Sequence, residues 1–164
     1  MNLREKYPLE NKKPLKKTIE KVWSWFLFLS LIIFFIFITK FNKNVLLPTI
    51  PIIIVVLILL FLLFISIYFY EIFYMRYYFY DIVEANLIIK KGVFSRNEIT
   101  IPFNRLQDVY VDQDVLDRIF GLYDVHVSSA THISSQLSHI DGLNKRNSEK
   151  IKGFILQRIG KNDR

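Results

Sequence analysis

Two uncharged stretches decide what this chain can become. Residues 22–39 and 45–70 contain no Asp, Glu, Lys, Arg or His, for 18 and 26 residues respectively. As helices rising 1.5 Å per residue they measure about 27 Å and about 39 Å, enough to cross the roughly 30 Å hydrocarbon core of a bilayer. Lys21 and Lys40 bracket the first run, and Trp23 and Trp25 stand near its start, where indole rings favour the interface. A secretory signal is the competing reading of that run, but no small-residue cleavage pattern follows it. Pro48 and Pro51 fall in the first turns of the second run, where a missing N–H costs nothing.

Residues 40–44 alone separate the runs, so two spanning helices would be antiparallel, with both outer ends on one side. Seven basic residues precede the first run (Arg4, Lys6, Lys12, Lys13, Lys16, Lys17, Lys21) and two, Lys40 and Lys43, follow it. The positive-inside rule then expects a two-span protein of the cell membrane with its N- and C-termini in the cytoplasm. Ion paths and proton relays need charged groups within the spans. Their absence favours an anchor over a channel or transporter. The spans also lack glycine, so no G-x-x-x-G packing signal is present.

Charge is distributed unevenly as well. The chain has 22 Lys+Arg against 15 Asp+Glu, a net charge of +7. Most of the excess lies before residue 45, and the part after residue 70 is nearly neutral. That part lacks the basic face a nucleic-acid binder needs to neutralise phosphates. Cysteine is absent, which removes disulfides, thiolate nucleophiles and Cys-ligated zinc. Residues 1–21 read as a basic cytoplasmic tail. Lys12, Lys13, Lys16, Lys17 and Lys21 serve there as a topology signal, and also as possible contacts to anionic lipid headgroups, worth about 1 kcal/mol each.

Beyond Arg76 the pattern changes to alternation with turn signals. Strands are expected over 77–83, 87–91, 98–101, 107–112, 124–130 and, more weakly, 135–140. Residues 84–86 form a turn. A helical turn is expected over 114–120, with Asp114 near its start and Gly121 ending it. Ile151, Phe154, Ile155 and Ile159 lie at offsets of 0, 3, 4 and 8, one face of an amphipathic helix over 147–159. Asn147 or Ser148 is its expected N-cap and Gly160 its terminating glycine. The domain organisation is then a tail (1–21), a membrane hairpin (22–70) and a mainly β domain (77–164).

The run Ile101-Pro102-Phe103-Asn104-Arg105-Leu106-Gln107-Asp108-Val109, followed by Gln113, the stretch from Leu116 to Leu122 and the strand from Val125 to Ala130, resembles the signature of the bacterial pleckstrin-homology-like (YdbS-like) membrane protein family. Tyr80-Asp81-Ile82 and the stretch from Leu87 to Phe94 fit the same pattern. The resemblance implies a membrane α-hairpin of two transmembrane helices plus a pleckstrin-homology-like barrel, bent and seven-stranded, capped by a C-terminal helix. It carries over no catalytic residues. Ala130-Thr131 stands where the family often has an Ala-Gly-type element. The first hairpin, Glu84-Ala85-Asn86, is short and acidic, unlike the basic hairpin of eukaryotic lipid-binding members of the fold.

Within the motif, Arg105, Gln107, Asp108, Arg118 and Gly121 are the candidate interaction or structural residues. Arg105 and Arg118 flank Asp108, Asp112, Asp114 and Asp117, and an Arg fork matches a carboxylate bidentately. The expectation is structural ion pairs at this corner, with a ligand contact as the alternative. A buried Gln107 would need hydrogen-bond partners, most simply backbone groups.

Asp124, His126 and Ser128 have the residue types of a catalytic triad at i, i+2 and i+4. Neighbours of that spacing lie about 6.7 Å apart along a strand, too far for the hydrogen bonds of a triad. A solvated strand face is the plainer reading. His126, His132 and His139 have no spacing that a zinc site uses, and the five glycines form no phosphate loop. The sequence therefore predicts no enzyme, no cofactor, no metal and no small-molecule substrate.

What remains is a membrane-anchored interaction module or scaffold. Its partners would be the bilayer itself, lipid headgroups, another protein or a second copy of the chain (a homo-oligomer), met at the barrel rim and the 131–138 loop. The alternatives are an accessory subunit of a transporter or of an envelope-stress or antimicrobial-resistance system, and, further off, a membrane enzyme.

Overall fold

A computed structural model describes residues 2–41, 49–129 and 138–162. Helix α1 (Leu3–Lys6) is a single turn, and Asn2 caps it by accepting the Glu5 N–H at 2.8 Å. Two 29-residue helices follow, α2 (Lys13–Phe41) and α3 (Thr49–Tyr77). Pro51 lies in the first turn of α3, as its missing donor allows. The two helices lie side by side and run antiparallel, since Lys21 meets Glu71 near one end while Leu29 and Ile32 line a groove with Leu60 and Leu63 further along.

Most of α3 has the length and composition of a membrane span. Ile54–Tyr77 is long and apolar enough to cross a membrane, and only 6% of its apolar window is buried. A core helix of a water-soluble protein would be mostly covered. It is the one such stretch among the described residues. The first apolar run is helical within α2, but several of its side chains, and the 42–48 connection, lie outside the described residues.

One residue, Tyr78, separates α3 from the first strand. Strands β1 (Phe79–Val83), β2 (Asn86–Lys91) and β3 (Asn97–Pro102) form an antiparallel meander. Strands β4 (Leu106–Asp112), β5 (Tyr123–Ser129) and β6 (His139–Leu143) form a second. A 3-10 turn, Phe103–Arg105, joins them. The expected single seven-stranded barrel is therefore replaced, among the described residues, by two three-stranded sheets. Helix α5 (Lys145–Asn162) packs against β4, β5 and the 3-10 turn.

Pleat explains what lies inside. Leu87 and Ile89 on β2, Val125 and Val127 on β5, and Val109 on β4 all face the core by period two. In register, Val109 sits opposite Val127 and Val111 opposite Val125. Ile151 and Ile155 of α5 are fully buried against them, and each such side chain contributes roughly 1.5–3 kcal/mol.

Several boundaries move. The last strand begins at His139 rather than Ser135, and most of the expected contact loop, 131–137, lies outside the described residues. The final helix starts at Lys145, because Asn144 rather than Asn147 or Ser148 caps it: its side-chain oxygen accepts the Asn147 N–H at 2.8 Å. Gly160 lies inside this helix, not after it. Short helix α4 (Val115–Phe120) matches expectation. Asp114 and Asp117 form a reciprocal capping box, and Gly121 closes it in the left-handed conformation (φ 68°, ψ 32°).

The largest correction concerns the N-terminus, which is no tail. Leu3 and Leu9 belong to the domain core. Leu3 N–H donates to Asp81 at 2.9 Å, and Glu10 N–H to the Gly142 carbonyl at 2.8 Å. Arg4 donates to the carbonyls of Met75 and Tyr78 at 3.3 and 3.2 Å. Both oxygens lie at the C-terminal end of α3, where a cation meets the negative pole of the helix.

Candidate functional site

The seam between helices and domain collects the chain's buried charge. Lys13, Lys17 and Lys21 recur every fourth residue of α2 and so share one helical face. On β6, the Asp141 carboxylate lies 3.2 Å from Lys13 Nζ, 3.3 Å from His139 Nε2 and 3.7 Å from Lys91 Nζ. It also accepts the Tyr78 hydroxyl at 3.1 Å. Lys13 donates to the Asp141 carbonyl at 3.1 Å and sits 4.0 Å from the centre of the Tyr78 ring. Lys13, Lys91, Asp141 and Tyr78 are all buried.

Such a cluster survives only if its charges offset desolvation. Burial by itself would raise the Asp141 carboxyl, but Lys13, Lys91 and His139 outweigh it and hold the group well below the usual carboxylate range. Burial pulls Lys13 down against the attraction of Asp141. It brings Lys91 to about 8, with Lys13 adding to the effect and Asp141 opposing it. His139 is pushed by burial to about 4, so its ring is neutral at pH 7. Asp124 on β5, buried beside them, accepts the Gly142 N–H at 2.7 Å. Burial, reinforced by Asp141, lifts it to about 6.

A cavity of about 260 Å³ opens at this seam. Lys13, Lys17 and Lys21 line it from α2, and Tyr70, Glu71 and Tyr74 from α3, with His139 and Asp141 completing it. Lys21 pairs with Glu71 and lies 5.1 Å from the centre of the Tyr70 ring. Lys17 pairs with Glu20 of its own helix at 3.3 Å, and its side chain keeps 27% of its exposure. Surface pairs of this kind are weak, so the Lys17 ammonium can turn to an incoming anion at small cost. The cavity lies where the apolar part of α3 meets its first charge, Glu71.

The five lysines singled out in the sequence thus have different surroundings. Lys12 is exposed. Lys13 is committed to Asp141. Lys16 is buried between Asp114 and Asp117, 2.8 Å from each. Burial would lower its pKa, but those hydrogen bonds and charges raise it. Lys17 and Lys21 border the cavity. A folded helix, rather than a free tail, sets these roles.

The motif residues do not converge. Arg105, Gln107, Asp108 and Arg118 are exposed, so Gln107 needs no buried partner. Among the described residues Arg105 and Arg118 enter no ion pair. The acids expected to hold them are taken: Asp114 and Asp117 by Lys16, and Asp112 by His126 at 3.1 Å. Proximity in sequence suggested the arginines, whereas packing delivers Lys16 to Asp114 across 98 positions. Nor do Asp124, His126 and Ser128 act together. Asp124 turns inward to Gly142, contrary to a wholly solvated face, and the His126 ring stacks between Tyr110 and His139 at 4.9 and 5.3 Å. Among the described residues no group of acids and histidines could hold a metal ion.

Sequence reasoning missed Lys91, Asp141 and Tyr78. One signal was available: Lys91 continues the Leu87, Ile89 alternation and is therefore a cation on a core-facing position. Its acidic partner was bound to follow somewhere in the chain.

Comparison with known protein families gives one match. A model described as "Bacterial PH domain" covers residues 27–159. The match begins inside the first apolar run, so it takes in the helices as well as the sheets. No curated protein and no solved structure matches the chain.

Proposed function

The chain belongs to the bacterial PH domain family, and from that premise we propose that it is a membrane-anchored interaction module whose ligand is the anionic headgroup of a lipid. Helices α2 and α3 act as a two-span hairpin. The N-terminus and the PH-like domain face the cytoplasm, in keeping with seven basic residues before the first run and two after it. The observation that carries the reading is the seam. Only Tyr78 lies between α3 and β1, and residues 2–12 are strapped onto the domain, so a spanning α3 would hold the lysine-lined cavity at the depth where headgroups lie. Phosphate oxygens there would meet Lys17 and Lys21 and the Tyr70 and Tyr74 rings, in a site too small for a folded partner.

The test uses the full chain purified in mild detergent, titrated with phosphatidylglycerol or with phosphatidylcholine and read by native mass spectrometry. Binding should favour the anionic lipid. Lys17→Gln should weaken it roughly 5-fold, from about 1 kcal/mol per basic residue near a lipid surface, while Lys12→Gln leaves it unchanged. Equal binding of both lipids, or an equal effect of the two substitutions, would remove the headgroup reading. A reporter fused after Arg164 that proved external would remove the topology.

A further inference from the structure

The loop between β2 and β3 carries a feature that the headgroup site does not use. Phe94 is 90% exposed, at the bend between Lys91 and Asn97. Moving a phenylalanine ring this bare from water into lipid would gain an amount comparable to burying a core side chain. It is not randomly placed. Its ring stacks on Tyr70 of α3, with centroids 6.2 Å apart and planes 16° from parallel. Tyr70 is the last uncharged residue before Glu71, and it lies seven residues, about 10 Å, up the helix from Tyr77. The loop therefore leaves the domain and climbs beside α3 to the edge of its apolar stretch. Phe69 and Phe73 are exposed on the same part of α3.

The rest of the loop is built to hold this pose. Gly92 has φ +111°, and a Cβ there would lie 1.8 Å from the Ser95 carbonyl oxygen, so only glycine allows the bend. Arg96, just past Phe94, lies 5.7 Å from the centre of the Tyr77 ring. One aromatic at the lipid boundary with a cation about two helical turns below it beside α3 is the arrangement of an interfacial anchor, whose basic group snorkels to the headgroups.

We infer that the β2–β3 loop dips into the membrane interface and that Phe94 is a second attachment of the domain to lipid, fixing its tilt about the end of α3. The inference rests on α3 crossing the bilayer. It does not depend on the headgroup cavity.

Because the chain has no cysteine, a single introduced thiol reports without background. The full chain carrying Phe94→Cys is labelled with an environment-sensitive fluorophore and placed in phosphatidylcholine–phosphatidylglycerol vesicles. Leu59→Cys on α3 and Glu149→Cys on α5 are labelled in parallel. The Phe94 probe should emit to the blue of the Glu149 probe. Lipid-borne nitroxides should quench it, and aqueous iodide should not. If the Leu59 probe is in lipid while the Phe94 probe behaves like the Glu149 probe, the loop inference fails and the anchor stands. If the Leu59 probe is also in water, both fail. Shielding of Phe94 from iodide without quenching by lipid nitroxides would mean that protein covers it, which also overturns the inference. Unlabelled Phe94→Asp supplies a check free of the dye. In vesicles it should be cut by trypsin after Arg96 several-fold faster than the parent chain or Phe94→Leu, and equal rates would count against insertion.

Discussion

Replacing Asp141 by Asn keeps the shape of the side chain and deletes the carboxylate that does most to support two buried lysines, with Asp124 adding less. Lys13 and Lys91 lie 3.2 and 3.7 Å from that carboxylate, and both are buried. Breaking a buried pair by removing one partner costs about 3–5 kcal/mol. An independent bound agrees. A stranded lysine can always discard its proton, and at pH 7, starting from a free value near 10.4, that costs about 4–5 kcal/mol at roughly 1.4 kcal/mol per pH unit. For a chain of 164 residues, such a loss should lower the melting temperature by roughly 6–20 °C in mild detergent.

The same reasoning fixes a pH signature. In the variant, the folded lysine has a pKa depressed below its unfolded value. Its contribution is present above the unfolded value and lost as pH falls through the folded one. The deficit of Asp141→Asn relative to the parent should therefore shrink as pH rises from 7 to 9. The added change Lys13→Met, which removes one stranded cation, should recover part of the loss. A variant melting within about 3 °C of the parent at pH 7, or a deficit that stays constant to pH 9, would refute the account of this cluster.

Gly142→Ala should be costly for two reasons. Its φ of +78° strains any side chain, and the new Cβ would stand 2.5 Å from the Lys13 Cδ. A loss of at least about 2 kcal/mol, from left-handed strain and displaced lysine, is expected in thermal melts. His139 and Asp124 oppose each other below neutrality. His139, lowered to about 4, contributes stability above its unfolded value near 6.5 that is lost as pH falls. Asp124, raised to about 6, contributes stability below its ordinary value near 4 that is lost as pH rises through 6. Melting temperature should accordingly change little between pH 6.5 and 4.5, whereas Asp124→Asn should make the protein lose stability across that window on acidification.

What the sequence determined by itself was whatever follows from short-range chemistry. Uncharged runs of this length announce helices fit for lipid. Alternation placed most of the strands, and Asp114 with Gly121 bounded α4, because caps and pleats are local. The last strand was expected to stop at Ile140, and its end at Leu143 was missed because Asp141-Gly142 interrupts the apolar pattern. That aspartate is buried because cations meet it, foremost Lys13, which arrives from the other end of the chain. Tertiary structure decided the fate of the basic N-terminus. A run of lysines before a span reads as a solvated tail until Leu3 and Leu9 are seen in the core and Asp114, Asp117 and Asp141 are seen waiting for Lys16 and Lys13. Burial energies belong to pairs of groups, and pairing between distant residues is written in three dimensions, not along the chain.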